Sequence, residues 1–344
     1  MLTRDRSAPL LAGALLLLVY AVTVAPTVTL WDAGEFIAAI ETLGIPHPPG
    51  TPLYIVAARV WSDVLGVLPR AVATNLFSAA ATAAAAALLA WLLVATTRKN
   101  LAAFAAAMCA GATATVWSSA TETEVYAASL ALCLTTLVAA ERAGRSGEAR
   151  WHLLVVYLFA LAVPLHMSAL VVVPGAVLLA SIDAQGRLHT RPALALLGAG
   201  IIAAGAGTVS PFVLGGGVAV AGSSLFVNRA ARRIGLGTVG LAALALVLGV
   251  SGTLVMLVRS AHDPALDSGN PETWRALLEV VGRAQYAAAG LWPRQAPLWI
   301  QIGNLFEYLD WQFAMGLDAS VAPSWVRTPI TAVYAGLGVL GCVR

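Results

Sequence analysis

Long apolar blocks broken by short polar segments run through this chain from end to end. The blocks lie near residues 9–25, 71–96, 101–118, 124–141, 151–165, 168–182, 192–210, 211–227, 235–258 and 326–343. They read as helices crossing roughly 30 Å of hydrocarbon. The run 52–68 is apolar too, but Arg59 and Asp63 interrupt it, so it reads as a helix lying in the membrane interface rather than crossing it. Its alternative, a second span, would invert everything downstream. The pattern predicts an all-α fold: a polytopic transmembrane helical bundle, one domain over residues 1–344, with larger polar segments at 26–70 and 259–325.

Composition agrees with the pattern. Hydrophobic residues make up 59% of the 344 and charged residues 11%, with a mean hydropathy of +0.83. A soluble domain carries about 25% charged residues, so this chain has too little polar surface for a water-facing globule. The net charge of +3 does not imply nucleic acid, because the cations sit in short inter-helix loops. Cys109, Cys133 and Cys342 lie in apolar runs without metal or redox spacing and read as buried structural thiols. The first block follows Arg4 and Arg6 and lacks a small-x-small cleavage site, the pattern of a retained signal anchor.

Charge also orients the bundle. With 52–68 interfacial, twelve Lys and Arg residues fall on the inner side and seven on the outer, and the clusters "TTRKN", "ERAGRSGEAR" and "NRAARR" are all inner. That is the positive-inside arrangement. It puts Asp32, Glu35, Glu41, His47, the segment "VWSSATETEVY" (116–126), His166 and the segment 259–325 on the outer face. Ionisable groups at a membrane boundary are costly and usually have a task or a partner. A one-sided cluster drawn from distant segments reads as a site facing the outer compartment.

Asp32 and Glu35 stand three residues apart in "WDAGEFIAAI", and on a helix such positions share a face. Together they suit a general base with its orienting partner, or a pair of ligands for a hard cation. The spacing equally suits a capping box, with Asp32 at the N-cap and Glu35 at N3. The "PHPPG" turn (46–50) is stiff, since proline fixes its own backbone and restricts the residue before it. Such a turn holds His47 rigidly.

The stretch "WDAGEFIAAIETLGIPHPPGTPLY" (31–54) resembles the first external loop of the GT-C class of membrane glycosyltransferases. The closer resemblance is to the DUF2723 family of that class, whose pattern of Asp-x-Gly-Glu followed by "HPPGTPLY" is met at Asp32, Gly34, Glu35 and His47 to Tyr54. Further blocks match in the same order: "WSSATETEVY" (117–126), "LHMS" around His166, "NPETWRALLEVVGRAQY" (270–286) and "QIGNLFEYLDWQF" (301–313). The resemblance implies a GT-C bundle with juxtamembrane helices in its first external loop. It also implies transfer of a sugar, mannose by analogy, from a polyprenyl-phosphate carrier to a Ser or Thr hydroxyl of a translocated protein. Asp32 occupies the family's acidic position and is expected to act as base, with Glu35 orienting the acceptor or substituting for it. One base and one displacement predict inversion at the anomeric carbon.

The leaving phosphate calls for donors, and arginine presents a planar fork to phosphate oxygens. Arg283 is the first candidate, Arg59 the second. His47 and His166 are candidate ligand contacts, and Gln285 and Tyr286 candidates for hydrogen bonds to the sugar. Glu122, Glu124 and Tyr126 are expected to hold helix ends against the first loop. No His/Asp/Glu trio shows recognisable ligand spacing, so no metal and no cofactor is expected beyond the lipid-linked sugar co-substrate. The expected partners are that donor, an acceptor protein or peptide, and membrane lipid. Ala-rich, lysine-poor composition suggests a bacterial inner membrane with the site facing the periplasm. Members of the family run longer, and a C-terminus inside an apolar block reads as a short or truncated member. The rival class, a transporter or lipid flippase, expects charges near span midpoints and inverted repeats with broken helices; the apolar blocks carry almost no charge.

Overall fold

Backbone in hydrocarbon has no water to bond, so an apolar segment satisfies its own N–H and C=O groups by coiling. The computed structural model of the chain describes residues 7–227, 236–286 and 294–343, and among these residues the regular structure is helical. Ten apolar elements follow the predicted blocks. They are α1 (Ser7–Thr23), α4 (Arg70–Thr97), the pair α5 (Asn100–Gly111) and α6 (Ala114–Thr121), α7 (Val125–Ser146), α8 (Ala149–Leu165), α9 (Val173–Ser181) entered through a 3-10 turn, α10 (Thr190–Gly207), α11 (Pro211–Ser223), α12 (Leu236–Val250) continuing through a 3-10 turn into α13 (Leu254–Ser260), and α16 (Arg327–Val343). Between them lie α2 (Ala33–Thr42), α3 (Pro52–Val64), α14 (Trp274–Val281) and α15 (Leu298–Trp311).

Among the described residues, four helices are long and apolar enough to cross a membrane alone: 70–97, 125–146, 190–207 and 237–260. The block read as one span over 101–118 is broken, with α5 and α6 meeting at 70°. Tyr20 takes the Gly111 carbonyl at 2.7 Å. Beyond the break, Gln312 at the end of α15 accepts the backbone N–H groups of Ala114 and Thr115, which would otherwise be orphans at a helix start. α3, at 13 residues, reaches about 20 Å at 1.5 Å per residue, too short to span, and it packs Tyr54, Ile55 and Ala58 inward. The inner cations Arg4, Arg6, Arg229, Arg232 and Arg233 lie outside the described residues. Cys109 is exposed on α5 rather than buried; Cys133 is half-buried and donates to the Ala169 carbonyl at 3.4 Å; the Cys342 side chain lies outside what is described.

Small residues let the helices approach. Ala79, Ala83 and Ala86 on α4 meet Leu16 and Tyr20 of α1. A larger core gathers Val155, Phe159 and Val163 of α8 with residues of α7, α9, α10 and α14. At one end, here called the site end, polar side chains tie the connections together. Buried Asn75 of α4 donates to the carbonyls of Ala25 (2.9 Å) and Thr27 (3.3 Å) and accepts from Thr123 (2.5 Å). The first loop is likewise fastened to the segment after α13: Ile45 N–H bonds the Leu266 carbonyl at 2.7 Å, Ser268 N–H bonds the Ile45 carbonyl at 2.9 Å, and Arg259 donates to the carbonyls of Leu43 and Thr42. Gly44 sits at this seam, where a Cβ would come within 2.5 Å of the Leu266 carbonyl oxygen.

A candidate active site at one end of the bundle

The capping alternative for Asp32 and Glu35 is not what forms. Asp32 is the N-cap residue of α2, yet its side chain makes no capping bond. Glu35 instead reaches across the loop to the proline turn. Its two oxygens accept the His47 backbone N–H at 2.7 Å and meet the His47 ring Nδ1 at 2.5 Å. Both oxygens of Glu35 are thus spent on orienting His47, and Asp32 is left exposed beside the pair. The ligating atoms of Asp32, Glu35 and His47 lie within 4.8 Å of one another. The ring of His47 is further held against Phe36, centroids 5.6 Å apart, and Gly50, with φ +79°, closes the turn by donating to the His47 carbonyl at 3.0 Å. Immediately before Asp32, Trp31 adopts a left-handed backbone, φ 64°, rare for a bulky residue, and its side chain is 93% exposed.

A fourth titratable group, expected only to hold helix ends, joins this cluster. Glu124 precedes α7, and its backbone is gripped by Ser78, whose hydroxyl accepts the Glu124 N–H at 3.2 Å. Its Oε2 is buried without a hydrogen-bond partner among the described residues, a state that costs about 1–3 kcal/mol. Burial, then the neighbouring carboxylates Glu122 and Asp32, push its pKa up to about 7, against smaller opposing effects of the Val125 N–H and His47. No local motif announces this: the residue is placed by the Asn75–Thr123 bond, whose partners stand 48 residues apart.

The cationic side of the site comes from farther along the chain. Arg283, after α14, has φ 56° and donates to the Met167 sulfur at 3.3 Å; among the described residues no carboxylate pairs with it. Burial draws its pKa down, Tyr286 opposing. His166 links it to the rest. Burial, then Arg283 and His47, lower the His166 pKa to about 4, so its ring is neutral at neutral pH. Its Nδ1 accepts the Ser168 N–H at 3.3 Å, which leaves Nε2 to carry the hydrogen, and Tyr126 packs edge-on at 5.2 Å.

The remaining predicted residues are placed differently. Arg59 pairs with Asp63 at 2.8 Å and donates to the carbonyls of Ile40 and Glu41. That is the C-terminal end of α2, about 13 Å along the helix from Asp32 at 1.5 Å per residue, and the structure does not bring Arg59 to the cluster. Tyr286 is half-exposed beside Arg283. Gln285 lines a separate cleft with Gly269, Glu279, Val280 and Ala284.

The arrangement offers an exposed carboxylate (Asp32), an oriented imidazole (His47), a half-buried carboxyl (Glu124) and, linked through His166, Arg283, which pairs with no carboxylate among the described residues. A metal ion bound at Asp32, Glu35 and His47 would have to displace the Glu35–His47 contact.

Residues 32–189 match the family model of the protein O-mannosyl-transferase TMEM260 N-terminal domain. The match begins on Asp32 and includes His47, the 117–126 block and His166, whereas Arg283 and the 301–313 block lie beyond it. Neither a curated protein nor a solved structure matches the chain. Over a little under half of its length, then, this helical membrane protein is similar to a protein O-mannosyltransferase domain.

Proposed function

We propose that the chain is a membrane glycosyltransferase of GT-C type that moves a sugar, mannose by the similarity, from a polyprenyl-phosphate carrier to a Ser or Thr hydroxyl of a protein. What supports this reading is an exposed Asp32 without a capping bond beside His47, and, linked to His47 through His166, Arg283, which pairs with no carboxylate among the described residues. The two ends of the displacement need that carboxylate and that arginine. The acceptor hydroxyl gives its proton to Asp32 as its oxygen bonds the anomeric carbon. The bond from that carbon to the phosphate oxygen breaks, and polyprenyl phosphate leaves with both electrons. Arg283 and the Nε2–H of His166 meet the charge growing on the phosphate, where fixed donors act most strongly. Glu35 holds His47 and does not compete for the proton. A single displacement inverts the anomeric carbon.

Since Glu35 is committed to His47, the reaction is proposed to run without a metal. The site is proposed to face the periplasm from a bacterial inner membrane, a reading that rests on the Ala-rich, lysine-poor composition and the one-sided polar segments. Proteoliposomes holding the protein and labelled polyprenyl-phosphate mannose test the reading: label should appear on a Ser/Thr-containing acceptor. If no lipid-linked sugar is consumed, the reading fails.

A further inference from the structure

We propose that Glu124 serves this site as a neutral carboxylic acid, donating a hydrogen bond from its buried oxygen to an oxygen of the bound sugar donor. The inference rests on the glycosyltransferase reading and assigns to it a residue that the mechanism above does not use.

Three observations lead to it. The first is the orphaned Oε2: a carboxyl oxygen taken out of water needs a partner in either protonation state, and among the described residues no group supplies one. The second is placement. Glu124 lies within electrostatic reach of Asp32 and His47. Its backbone is fixed by Ser78 and, through Thr123, by Asn75. The third is charge. Facing Glu124 are Glu122 from the end of α6, Asp32 from the start of α2, His47 from the proline turn and the buried Tyr54 hydroxyl from α3. With Glu35 nearby, this side is already rich in carboxylates, and an anionic sugar phosphate would meet less repulsion if one of them kept its proton. Desolvation and the adjacent carboxylates disfavour ionisation of Glu124 at neutral pH.

The sign of the pH effect follows. Glu124 holds its proton below about 7 and loses it as pH rises through that value, so the donated hydrogen bond is present on the acid side and lost on the alkaline side. The kcat/KM profile for polyprenyl-phosphate mannose should fall above the Glu124 pKa. Glu124→Gln keeps a donor of the same size that cannot ionise; it should lose the alkaline fall and retain about ten times the kcat/KM of Glu124→Met, which has no donor. A Glu124→Gln enzyme as inactive as the Asp32→Asn enzyme would overturn the proposal, because Glu124 would then be needed as a carboxylate. An unchanged alkaline limb in Glu124→Gln would also overturn it. Infrared difference spectra of the detergent-solubilised protein supply a readout without turnover. A protonated-carboxyl band present at pH 6, absent from Glu124→Gln and shifted by added polyprenyl-phosphate mannose, supports the proposal. The absence of a Glu124-dependent band sinks it, even if the wild-type enzyme transfers sugar normally. If instead the band is present and the wild type transfers nothing, the glycosyltransferase reading fails on its own.

Discussion

The two ends of α2 carry charge in opposite ways. At its C-terminal end, Arg59, Asp63, Arg70 and Glu41 interlock: Arg59 pairs with Asp63, Arg70 reaches both Asp63 (2.9 Å) and Glu41, and the Ser62 hydroxyl accepts from Arg70 at 2.7 Å. At its N-terminal end, Asp32 makes no capping bond and Glu124 holds an unmatched oxygen. The first set joins α2, α3 and the start of α4, and each of its arginines is charge-matched by a carboxylate. The second set leaves Asp32 and one Glu124 oxygen without partners among the described residues. Charge that is matched within the protein is architecture; charge left unmatched at a membrane boundary is the better guide to chemistry.

The comparison breaks most readily at Asp32. Asp32→Asn keeps the shape but removes the base, and transfer should fall by about 10²–10⁴-fold with the protein still inserted and folded. A variant that keeps full activity contradicts the assignment. Arg283→Gln should cost about 10²-fold in kcat/KM, read with the same donor. Glu35→Gln removes the acceptor for one of the two His47 hydrogens; displacement of a positioned group by about an ångström costs up to about 10²-fold, and the loss should be visible in turnover rather than in expression. At the other end of α2, Arg59→Gln should lower thermal stability slightly and leave transfer within about twofold, since surface ion pairs contribute little; a loss as large as that of Arg283→Gln would move the phosphate to Arg59. The smallest effect expected is from chelation: EDTA should leave the rate unchanged, and a rate restored only by added divalent cation would show that Asp32, Glu35 and His47 bind metal.

Much of this was legible in the sequence, because hydropathy is a local property. Each apolar block contains a helix, and the interruption at Arg59 and Asp63 marks the short α3. The break in the 101–118 block was not legible, since it depends on Tyr20 taking the Gly111 carbonyl and on Gln312 covering the start of α6. The acids of the first loop could be picked out by their isolation in an apolar chain, but their division of labour could not. The Asp-x-x-Glu spacing permits a capping box; the structure prefers Glu35 on His47, twelve residues away through a proline turn. Arg59 looked available because its partners are backbone carbonyls and an acid four residues on, contacts that residue identity does not reveal. Glu124 was read as a helix-end residue for the converse reason: its unmatched oxygen is a property of the packing, not of "TETEVY".

Cryo-electron microscopy of the Asp32→Asn protein in lipid nanodiscs with intact polyprenyl-phosphate mannose would test the central claim most directly, by locating the phosphate. The account predicts phosphate density against Arg283 and His166, with the anomeric carbon turned toward residue 32. Phosphate seated among Arg59 and Arg70 at the opposite end of α2 would contradict it.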